Sequence, residues 1–401
     1  EVKAIQAATA TPEKVERLAN SIVEYMLKWQ FDGVDIDWEY PTSEQEAQQY
    51  TQLIKSLRTR LDEAGKQNDR YYQLSSAVTA NHNHIKYLNP AETAPLLDSV
   101  NVMTYDYHGA FDPITGHNSP LYSNHLDVDQ QFNTDSTMKA YNLQWNIPKS
   151  KLLVGLAWYG RAWGEVAGTE KITGLPGLFN NGSATVHGKW DDKNEYTGTT
   201  PYSKLKEMAL DKQFQRFWDN QAHVPYLYNA SQQHFYSYDD AQSIQEKVNY
   251  IDSEGYGGAI IWDLSGDTQD HELGAISAQL LSQENQPEQE QEQQSLKYEI
   301  ARQADNRVAI KTTLDNETFN AEKRIMIYLN DAYQGEIYNG KAYYSSKTVN
   351  KDNTVTVKTN FSKEPKVGDT VKVVLAEGKP GYVHKYDRLL YQTTITAAML
   401  K

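Results

Sequence analysis

Three carboxylic acids alternate along residues 31–40, whose sequence is Phe-Asp-Gly-Val-Asp-Ile-Asp-Trp-Glu-Tyr. Side chains of a β-strand alternate between its two faces, so Asp35, Asp37 and Glu39 would share one face at a Cα spacing of roughly 6.5 Å. Ionised groups this close destabilise one another, and the segment contains no Lys or Arg to compensate their charge. Because such acidic groups cluster at catalytic sites, we interpret the three acids as an acid/base array rather than a structural cluster.

The elements around this strand alternate between helices and apolar strands. Helices are predicted at 11–29, from Ser43 (with Glu46 at capping-box spacing) to about Gly65, near 91–97, at 134–145 and at about 240–253. Strands are predicted at 73–80, 100–107, 152–158 and 257–264. This alternation is typical of an α/β protein with a parallel sheet. Polar or aromatic residues end the strands, where a (β/α)8 barrel carries its catalytic groups, namely Glu39, Tyr105, Asp106, Trp158 and Trp262.

Three departures from this alternation divide the chain. The interval 163–236 is too long for a plain connection, and we predict a small α+β insertion there within a catalytic region spanning 1–282. Residues 283–294 form a low-complexity acidic Gln/Glu linker. Residues 295–401 alternate in short stretches and predict a small all-β sandwich. Its strands are expected at 306–314, 323–330, 353–361, 369–376 and 390–398.

The composition excludes several classes of protein. The formal net charge of −14 argues against a surface for nucleic acid or anionic lipid. No run approaches the roughly 18 consecutive apolar residues of a membrane-spanning helix. The absence of cysteine excludes disulfides, zinc–thiolate sites and a thiol nucleophile. A cysteine-free composition is compatible with an exported enzyme, and we expect an extracellular, secreted protein.

Neither a metal nor an organic cofactor is indicated by the sequence. His82 and His84 stand close together, but no acidic or histidine partner accompanies them at ligand spacing. We therefore interpret both as surface histidines.

Four segments together resemble a known enzyme family. Residues 32–39 (Asp-Gly-Val-Asp-Ile-Asp-Trp-Glu) resemble the signature strand of glycoside hydrolase family 18, the retaining chitinases. Residues 103–107 (Met-Thr-Tyr-Asp-Tyr) resemble its sixth barrel strand, and 158–163 (Trp-Tyr-Gly-Arg-Ala-Trp) its seventh. Residues 257–263 (Gly-Gly-Ala-Ile-Ile-Trp-Asp) resemble the eighth. The resemblance covers about residues 1–275 and implies a (β/α)8 TIM barrel, with an insertion like that of the deep-groove chitinases.

The position of the acidic strand in the sequence indicates how many strands of the barrel this chain contains. In the family this strand is the fourth of eight, whereas only about 30 residues precede it in this sequence. Strands four to eight alone cannot close a barrel and would leave unpaired backbone groups at an edge. The resemblance therefore implies that a companion segment or chain of roughly 100 residues supplies strands one to three, and that this chain is part of a larger protein or assembly.

The resemblance also implies a substrate-assisted mechanism without a metal or cofactor. Glu39 would protonate the leaving group and then act as base on the incoming water. The N-acetyl oxygen of the substrate would attack the anomeric carbon, forming an oxazolinium ion that Asp37 orients and stabilises. Asp35 would share a proton with Asp37. Tyr105 would complete the catalytic set by hydrogen bonding to the acetamido carbonyl.

The remaining candidate residues are assigned to binding chitin or chitooligosaccharides. Asp106 would bind sugar hydroxyls, and Trp262 would form the floor beneath the distorted sugar at the cleavage point. Tyr40 either lines the groove or packs beneath it. The other groove candidates are Met103, Tyr107, Arg161, Tyr159 and Trp158.

Three other functions are left open by the sequence. A sugar-binding lectin on an inactive barrel usually lacks the terminal acid of the motif, and Glu39 is present. An endo-N-acetylglucosaminidase acting on N-glycans would use the same acids, although a long insertion favours an extended polymer. The third alternative is an interaction subunit of a larger complex.

The C-terminal domain contains no Trp, since all eight lie at or before Trp262. Chitin binding there would depend on tyrosines such as Tyr333, Tyr338, Tyr343 and Tyr344. A spacer or docking role is the slightly favoured alternative.

Overall fold

The computed structural model describes residues 2–281, 297–330, 332–376 and 386–401. The chain divides into two compact units, Glu1–Asn285 and Gln286–Lys401. The predicted acidic linker at 283–294 lies outside the described residues.

A parallel sheet of five strands forms the centre of the first unit, in the order β1-β2-β3-β4-β10. The strands are β1 Gly33–Asp37, β2 Gln73–Val78, β3 Ser99–Val102, β4 Leu152–Ala157 and β10 Gly258–Trp262. Helices separate them in sequence, namely α1 Val2–Ala8, α2 Pro12–Lys28, α3 Glu44–Asn68, α4 Pro90–Thr93, α5 Thr134–Lys139 (continued by a π-helical turn, Ala140–Gln144), α7 Ala241–Glu254 and α8 Glu272–Ser277. The alternation of helix and parallel strand predicted from the sequence is confirmed.

Helix α3 illustrates how local sequence sets the element boundaries. Ser43 is its N-cap, and its Oγ accepts the N–H of Glu46 at 3.2 Å. Glu46 Oε2 accepts the N–H of Thr42 at 2.9 Å rather than that of Ser43, so the expected capping box is only half formed. The helix ends at Asp69, which adopts a left-handed conformation with φ 49°.

The core of the first unit lies between the sheet and its helices. Ile36 and Trp38, on the face of β1 opposite the acids, are buried. The Trp38 ring packs edge-on against Tyr50 of α3, with ring centroids 6.4 Å apart. Helices α2 and α3 contribute a further apolar layer of Val15, Ala19, Val23, Met26, Leu53, Ile54, Leu57 and Leu61.

An antiparallel sheet follows β4 in the sequence. Its strands are β5 Tyr159–Trp163, β6 Thr200–Pro201, β7 Gln215–Asp219, β8 Val224–Asn229 and β9 His234–Ser237, in the order β6-β5-β9-β8-β7. Helix α6, Tyr202–Ala209, lies between β6 and β7 in sequence. This antiparallel sheet begins at Tyr159, separated by one residue from the end of β4. It therefore starts four residues before residue 163, where the sequence predicted that the insertion begins. We call this sheet the wall of the groove.

The second unit is a sandwich of two antiparallel sheets, as predicted. One has the order β11-β12-β17-β16 and the other β15-β14-β13-β18-β19. The strands are β11 Lys297–Arg302, β12 Val308–Asp315, β13 Arg324–Leu329, β14 Ala332–Tyr338, β15 Lys341–Tyr343, β16 Ser346–Val349, β17 Thr354–Asn360, β18 Thr370–Ala376 and β19 Tyr386–Thr394, with a short helix α9, Asn316–Asn320. Alternate residues of both sheets form one apolar core, which includes Ile310, Val357, Ile327 and Val373.

The two outer strands of the parallel sheet are β1 and β10. Among the described residues each pairs with a neighbour on one side only, so the five strands form an open sheet. Next to β1, Tyr25, Trp29 and Phe31 expose more than half of their surface, and Trp29 is 58% exposed. Tyr25 contacts both other rings, at centroid distances of 6.1 Å to Trp29 and 6.4 Å to Phe31.

No helix in the described part of the chain is long and apolar enough to cross a membrane. The described residues also contain no group of three His, Asp or Glu side chains that could hold a metal ion. His82 lies at 2.8 Å from Asp129 Oδ2, and both side chains are partly buried.

Candidate active site

The acidic face of β1 is exposed at the end of the parallel sheet. Asp35 and Asp37 lie in the strand, Glu39 follows two residues beyond its end, and all three are exposed. The residues between them, Ile36 and Trp38, are buried on the opposite face. The alternation that the sequence predicts is therefore present, and it directs three acids into the same open space.

Two neighbouring strands hold the innermost acid. The hydroxyl of Ser75 in β2 donates to Asp35 Oδ1 at 2.5 Å. The side-chain amide of Asn101 in β3 donates to the same oxygen at 3.1 Å. Neither residue was predicted from the sequence, although a polar residue inside an otherwise apolar strand is a signal that could have found them.

Tyr40 contacts the outermost acid. Its ring is partly buried, and its pKa is raised by burial first and then by the charge of Glu39 and a hydrogen bond to it. The peptide bond between Glu39 and Tyr40 is cis. Tyr40 thus packs beside Glu39 at the edge of the open space, and its role in binding substrate stays a prediction.

Tyr105 lies close to all the acids of the site. It follows the end of β3 and is partly buried. Its pKa is raised by burial and then by the negative charges of Asp106, Asp37, Glu39 and Asp35, in that order. The phenol therefore stays protonated at neutral pH and can donate a hydrogen bond into the space that these carboxylates surround.

Asp106 is held by two donors from β5. The hydroxyl of Tyr159 and Nε of Arg161 both lie 2.6 Å from Asp106 Oδ1. The second carboxylate oxygen is left for another partner, and the residue is exposed. The backbone of Asp106 is left-handed, with φ 59°. Asp106, Tyr159 and Arg161 form one charge-assisted cluster beside Tyr105.

Two aromatic rings that the sequence analysis did not single out flank this cluster. Phe111 is exposed, and its ring centroid lies 5.7 Å from the guanidinium carbon of Arg161. The ring of Trp190, from the connection between β5 and β6, lies 6.2 Å from that of Tyr159. Aromatic faces next to a polar cluster are typical of a sugar-binding groove.

Trp262 ends β10 with its side chain open to solvent. It is 55% exposed, and its carbonyl oxygen accepts the N–H of Trp158 at 2.8 Å. Like the Glu39–Tyr40 bond, the peptide bond between Trp262 and Asp263 is cis. A large exposed ring at the end of a barrel strand fits the predicted sugar-binding floor.

Four predicted groove residues are buried and do not line the open space. Tyr107 is buried, and its hydroxyl lies 2.5 Å from Thr137 Oγ1. Met103, Trp158 and Tyr159 are also buried, although the Tyr159 hydroxyl reaches Asp106. Tyr107 directly follows Asp106, and consecutive side chains point to different sides of the backbone.

Comparison with known proteins agrees with this geometry. Residues 3–267 match the family described as glycosyl hydrolases family 18. Chitinase A1 of Niallia circulans is 36% identical over 277 residues, which are 65% of this chain and 38% of the relative. A probable endochitinase of Caenorhabditis elegans is 34% identical over 266 residues, 65% of this chain and 41% of the relative.

A solved structure has a similar fold. A family 18 N-acetylglucosaminidase from Paenibacillus barengoltzii is 29% identical, with a TM-score of 0.59 over 69% of this chain and 78% of that chain. The chain belongs to glycosyl hydrolase family 18. The (β/α)8 fold class predicted from the sequence is confirmed, and the five parallel strands are the part of that barrel formed by the described residues. The chain spans about two fifths of the length of each of these two curated relatives.

Proposed function

We propose that the protein carrying this chain is a chitinase that hydrolyses β-1,4 bonds between N-acetylglucosamine units with retention of configuration. The observation that carries the proposal is the exposed row of Asp35, Asp37 and Glu39 with the protonated Tyr105 beside it. A row of acids facing a phenol donor provides an acid/base and a donor for an acetamido oxygen. The names of the two similar relatives support the substrate class.

Glu39 is the proposed acid and base. It lies outermost on the strand, where it can reach a glycosidic oxygen above the sheet, and Tyr40 holds its orientation. Bond cleavage transfers its proton to the leaving-group oxygen, and the same carboxylate then accepts a proton from the attacking water.

Asp37 and Tyr105 are proposed to act on the acetamido group of the substrate. The acetamido oxygen attacks the anomeric carbon, and positive charge develops on the acetamido nitrogen, where the carboxylate of Asp37 stabilises it. Tyr105 donates to the acetamido oxygen and holds it in position for attack. Asp35, held by Ser75 and Asn101, supports Asp37 from below.

The groove is proposed to bind several sugars. Trp262 offers an exposed ring below the sugar at the cleavage point. Asp106 and Arg161 provide hydrogen bonds, while Phe111 and Trp190 provide aromatic faces further along the wall. A groove with this many contact residues favours a chitin chain over a single terminal sugar. The antiparallel sheet is proposed to form the wall that makes the groove deep.

A companion segment is proposed to complete the barrel. Within the described ranges, β1 and β10 each have one unpaired edge, which supports this proposal together with the exposed rings of Tyr25, Trp29 and Phe31. Three further strands between β10 and β1 would bring the total to eight and remove both edges. Size-exclusion chromatography and mass analysis of the active material would reveal whether that segment is covalently joined to this chain or a separate subunit.

The protein is proposed to be extracellular, because chitin is an insoluble polymer that an enzyme meets outside the cell. Secretion can be tested by fractionating the producing cells and measuring the protein in the medium.

The second unit is proposed to be a spacer or docking domain. Tyr333 and Tyr344 contact each other edge to face, with centroids 6.2 Å apart and an interplanar angle of 88°. Perpendicular rings offer no flat platform for consecutive sugars, which favours this role over chitin binding. A pull-down on insoluble chitin with Tyr344→Ala beside the unaltered chain tests it, and equal retention is expected.

The experiment for the main proposal measures release of the fluorophore from a fluorogenic chitobioside by the whole protein and by Glu39→Gln. Only the unaltered protein should be active. A high-mannose glycoprotein in a parallel assay separates the endo-N-acetylglucosaminidase alternative. If neither form is active but both bind chitin oligomers, the lectin alternative replaces the proposed hydrolase.

A further inference from the structure

Residues 117–119 run alongside the segment 104–107 and take up its backbone hydrogen bonds. β3 ends at Val102, and the last backbone donor to the adjacent strand is the Met103 N–H, which bonds to the Val78 carbonyl of β2 at 3.0 Å. The N–H of Asp106 donates to Asn118 Oδ1 at 3.0 Å, and the N–H of Tyr107 donates to the Asn118 carbonyl at 3.1 Å. Asn118 thus contacts the backbone on which the Asp106 side chain depends.

The side chain of Asn118 is fully buried, at 0% exposure. Its one side-chain hydrogen bond among the described residues is the one that Oδ1 accepts from Asp106. Its Nδ2 has no partner among these residues. A buried amide with an unsatisfied donor costs folding free energy, so packing alone does not account for an Asn at this position.

The conformation of Asp106 explains what that hydrogen bond does. Its φ of 59° is left-handed, a region that residues other than glycine seldom adopt without a stabilising contact. In this conformation its carboxylate reaches Tyr159 and Arg161. The acceptor supplied by Asn118 fixes the N–H of Asp106 and thereby the direction of the carboxylate.

A buried ion pair anchors the segment that carries Asn118. Lys247 Nζ donates to the Ser119 carbonyl at 2.6 Å and to Ser119 Oγ at 2.8 Å, and it pairs with Asp239 at 2.8 Å. The side chains of Lys247 and Asp239 are 0% and 1% exposed. Ser119 Oγ in turn donates to the Thr104 carbonyl at 2.6 Å, immediately before Tyr105.

We propose that Asn118 is a positioning residue for the reaction, acting through Asp106. The proposal deepens the proposed function and rests on it where Asp106 is assigned to binding sugar hydroxyls. Asn118 does not contact the substrate. Its Oδ1 holds the left-handed backbone that aims the Asp106 carboxylate into the groove, and Lys247 keeps the Asn118 segment in place through Ser119.

A double-mutant cycle tests the route through Asp106. Asn118→Ala should lower kcat/KM for a chitin tetramer by about tenfold or more in the unaltered background, because a misplaced binding group weakens transition-state binding. In the Asp106→Ala background the same substitution should lower kcat/KM by less than about twofold. An equal factor in both backgrounds, or no loss in either, would overturn the proposal.

Asn124→Ala is the matched control. Asn124 is also buried in the same loop, and its Oδ1 accepts a backbone N–H, that of Leu126, at 3.0 Å. It makes no hydrogen bond with Asp106, so any loss that it causes should be the same in both backgrounds. Asn118→Leu, which keeps the branched shape and the number of side-chain heavy atoms, replaces Asn118→Ala if the smaller side chain prevents folding.

Hydrogen exchange of single backbone amides provides a readout that does not depend on activity. Asn118→Ala should accelerate exchange of the Asp106 amide by about tenfold or more, since it loses its acceptor, whereas Asn124→Ala should not. An unchanged Asp106 rate would overturn the proposal even in an inactive protein. If the unaltered protein does not cleave chitin, the proposed function fails, and the exchange rates still decide whether Asn118 positions Asp106.

Discussion

The hydroxyl of Tyr159 lies 2.6 Å from Asp106 Oδ1, which joins the first strand of the antiparallel wall to the end of a barrel strand. Tyr159 is buried, whereas Asp106 is exposed. Together with Arg161, which donates to the same oxygen at 2.6 Å, Tyr159 fixes the orientation of this carboxylate.

Removing the Tyr159 hydroxyl should therefore weaken catalysis more than stability. Tyr159→Phe keeps the ring and loses one hydrogen bond to a charged group, which corresponds to about a tenfold or greater loss of kcat/KM. Tyr226→Phe is the control, because its buried hydroxyl donates to the Pro176 carbonyl at 2.8 Å, away from Asp106. Equal losses of kcat/KM in the two variants would contradict the assigned role of Tyr159.

Substitution of two adjacent serines in β2 should affect different properties, activity for Ser75 and stability for Ser76. Ser75 donates to Asp35, whereas Ser76 is buried and donates to the Ile36 carbonyl at 2.7 Å. Ser75→Ala should lower kcat several-fold with little change in the free energy of unfolding. Ser76→Ala should cost about 1 to 2 kcal/mol of stability and leave kcat unchanged. Steady-state kinetics and urea unfolding on both variants check this, and a kcat loss confined to Ser76→Ala would refute it.

His108 should make stability depend on pH. It lies 3.0 Å from both Asp112 and Asp127. Burial lowers the pKa of His108, but hydrogen bonds to these two carboxylates and their negative charges raise it by a larger amount. The net effect is a pKa raised from 6.5 to about 9. Because the folded value exceeds the unfolded value, the contribution of charged His108 is complete below about pH 6.5 and is lost as the pH rises through 9. Its full size is on the order of 3 kcal/mol.

Tryptophan fluorescence can measure this contribution, since all eight Trp residues lie in the first unit. Urea unfolding followed at pH 6, 7.5 and 9 should show a loss of stability with rising pH that His108→Gln reduces. If His108→Gln lost as much stability between pH 6 and pH 9 as the unaltered protein, the pH dependence would come from other groups.

The buried pair of Lys247 and Asp239 should be strongly coupled. Lys247→Met leaves the Asp239 carboxylate buried without its partner and should cost about 3 to 5 kcal/mol. Adding Asp239→Asn removes the orphaned charge and should recover a substantial part of that loss. Fluorescence-detected unfolding of the two single variants and the double variant gives the coupling energy, and additive losses would contradict the pairing.

Trp262 should contribute to binding rather than to folding. Because the ring is 55% exposed, Trp262→Ala should change the free energy of unfolding by less than about 1 kcal/mol. It should raise KM for chitin oligomers by about tenfold. Tyr71→Ala, which removes an exposed ring before β2, is the control and should leave KM unchanged. No change of KM in Trp262→Ala would exclude the proposed floor.

Short-range patterns predicted the acidic face well. The alternation of Asp35, Asp37 and Glu39 with Ile36 and Trp38 depends only on strand geometry, and the structure reproduces it. Contacts between distant positions were not predictable in the same way. Asn118 reaches Asp106 because β3 ends at Val102 and the backbone turns left-handed, and neither feature leaves a periodic signal.

Four strands of the second unit were not predicted, namely β11, β14, β15 and β16, and β16 shows the reason most clearly. All four residues of β16 are exposed, so the strand lacks the alternation of apolar and polar residues on which the prediction relied. β12 and β17 alternate clearly and were predicted close to their observed bounds.

The central claim, hydrolysis assisted by the acetamido group of the substrate, is tested most directly by proton NMR of the first product. The whole protein would be given a chitin oligomer and, in parallel, the same oligomer with the acetamido group at the cleavage point deacetylated. Participation of the acetamido group should release the β-anomer from the first substrate and give no cleavage at the deacetylated unit. Release of the α-anomer, or equal cleavage of both substrates, would contradict it.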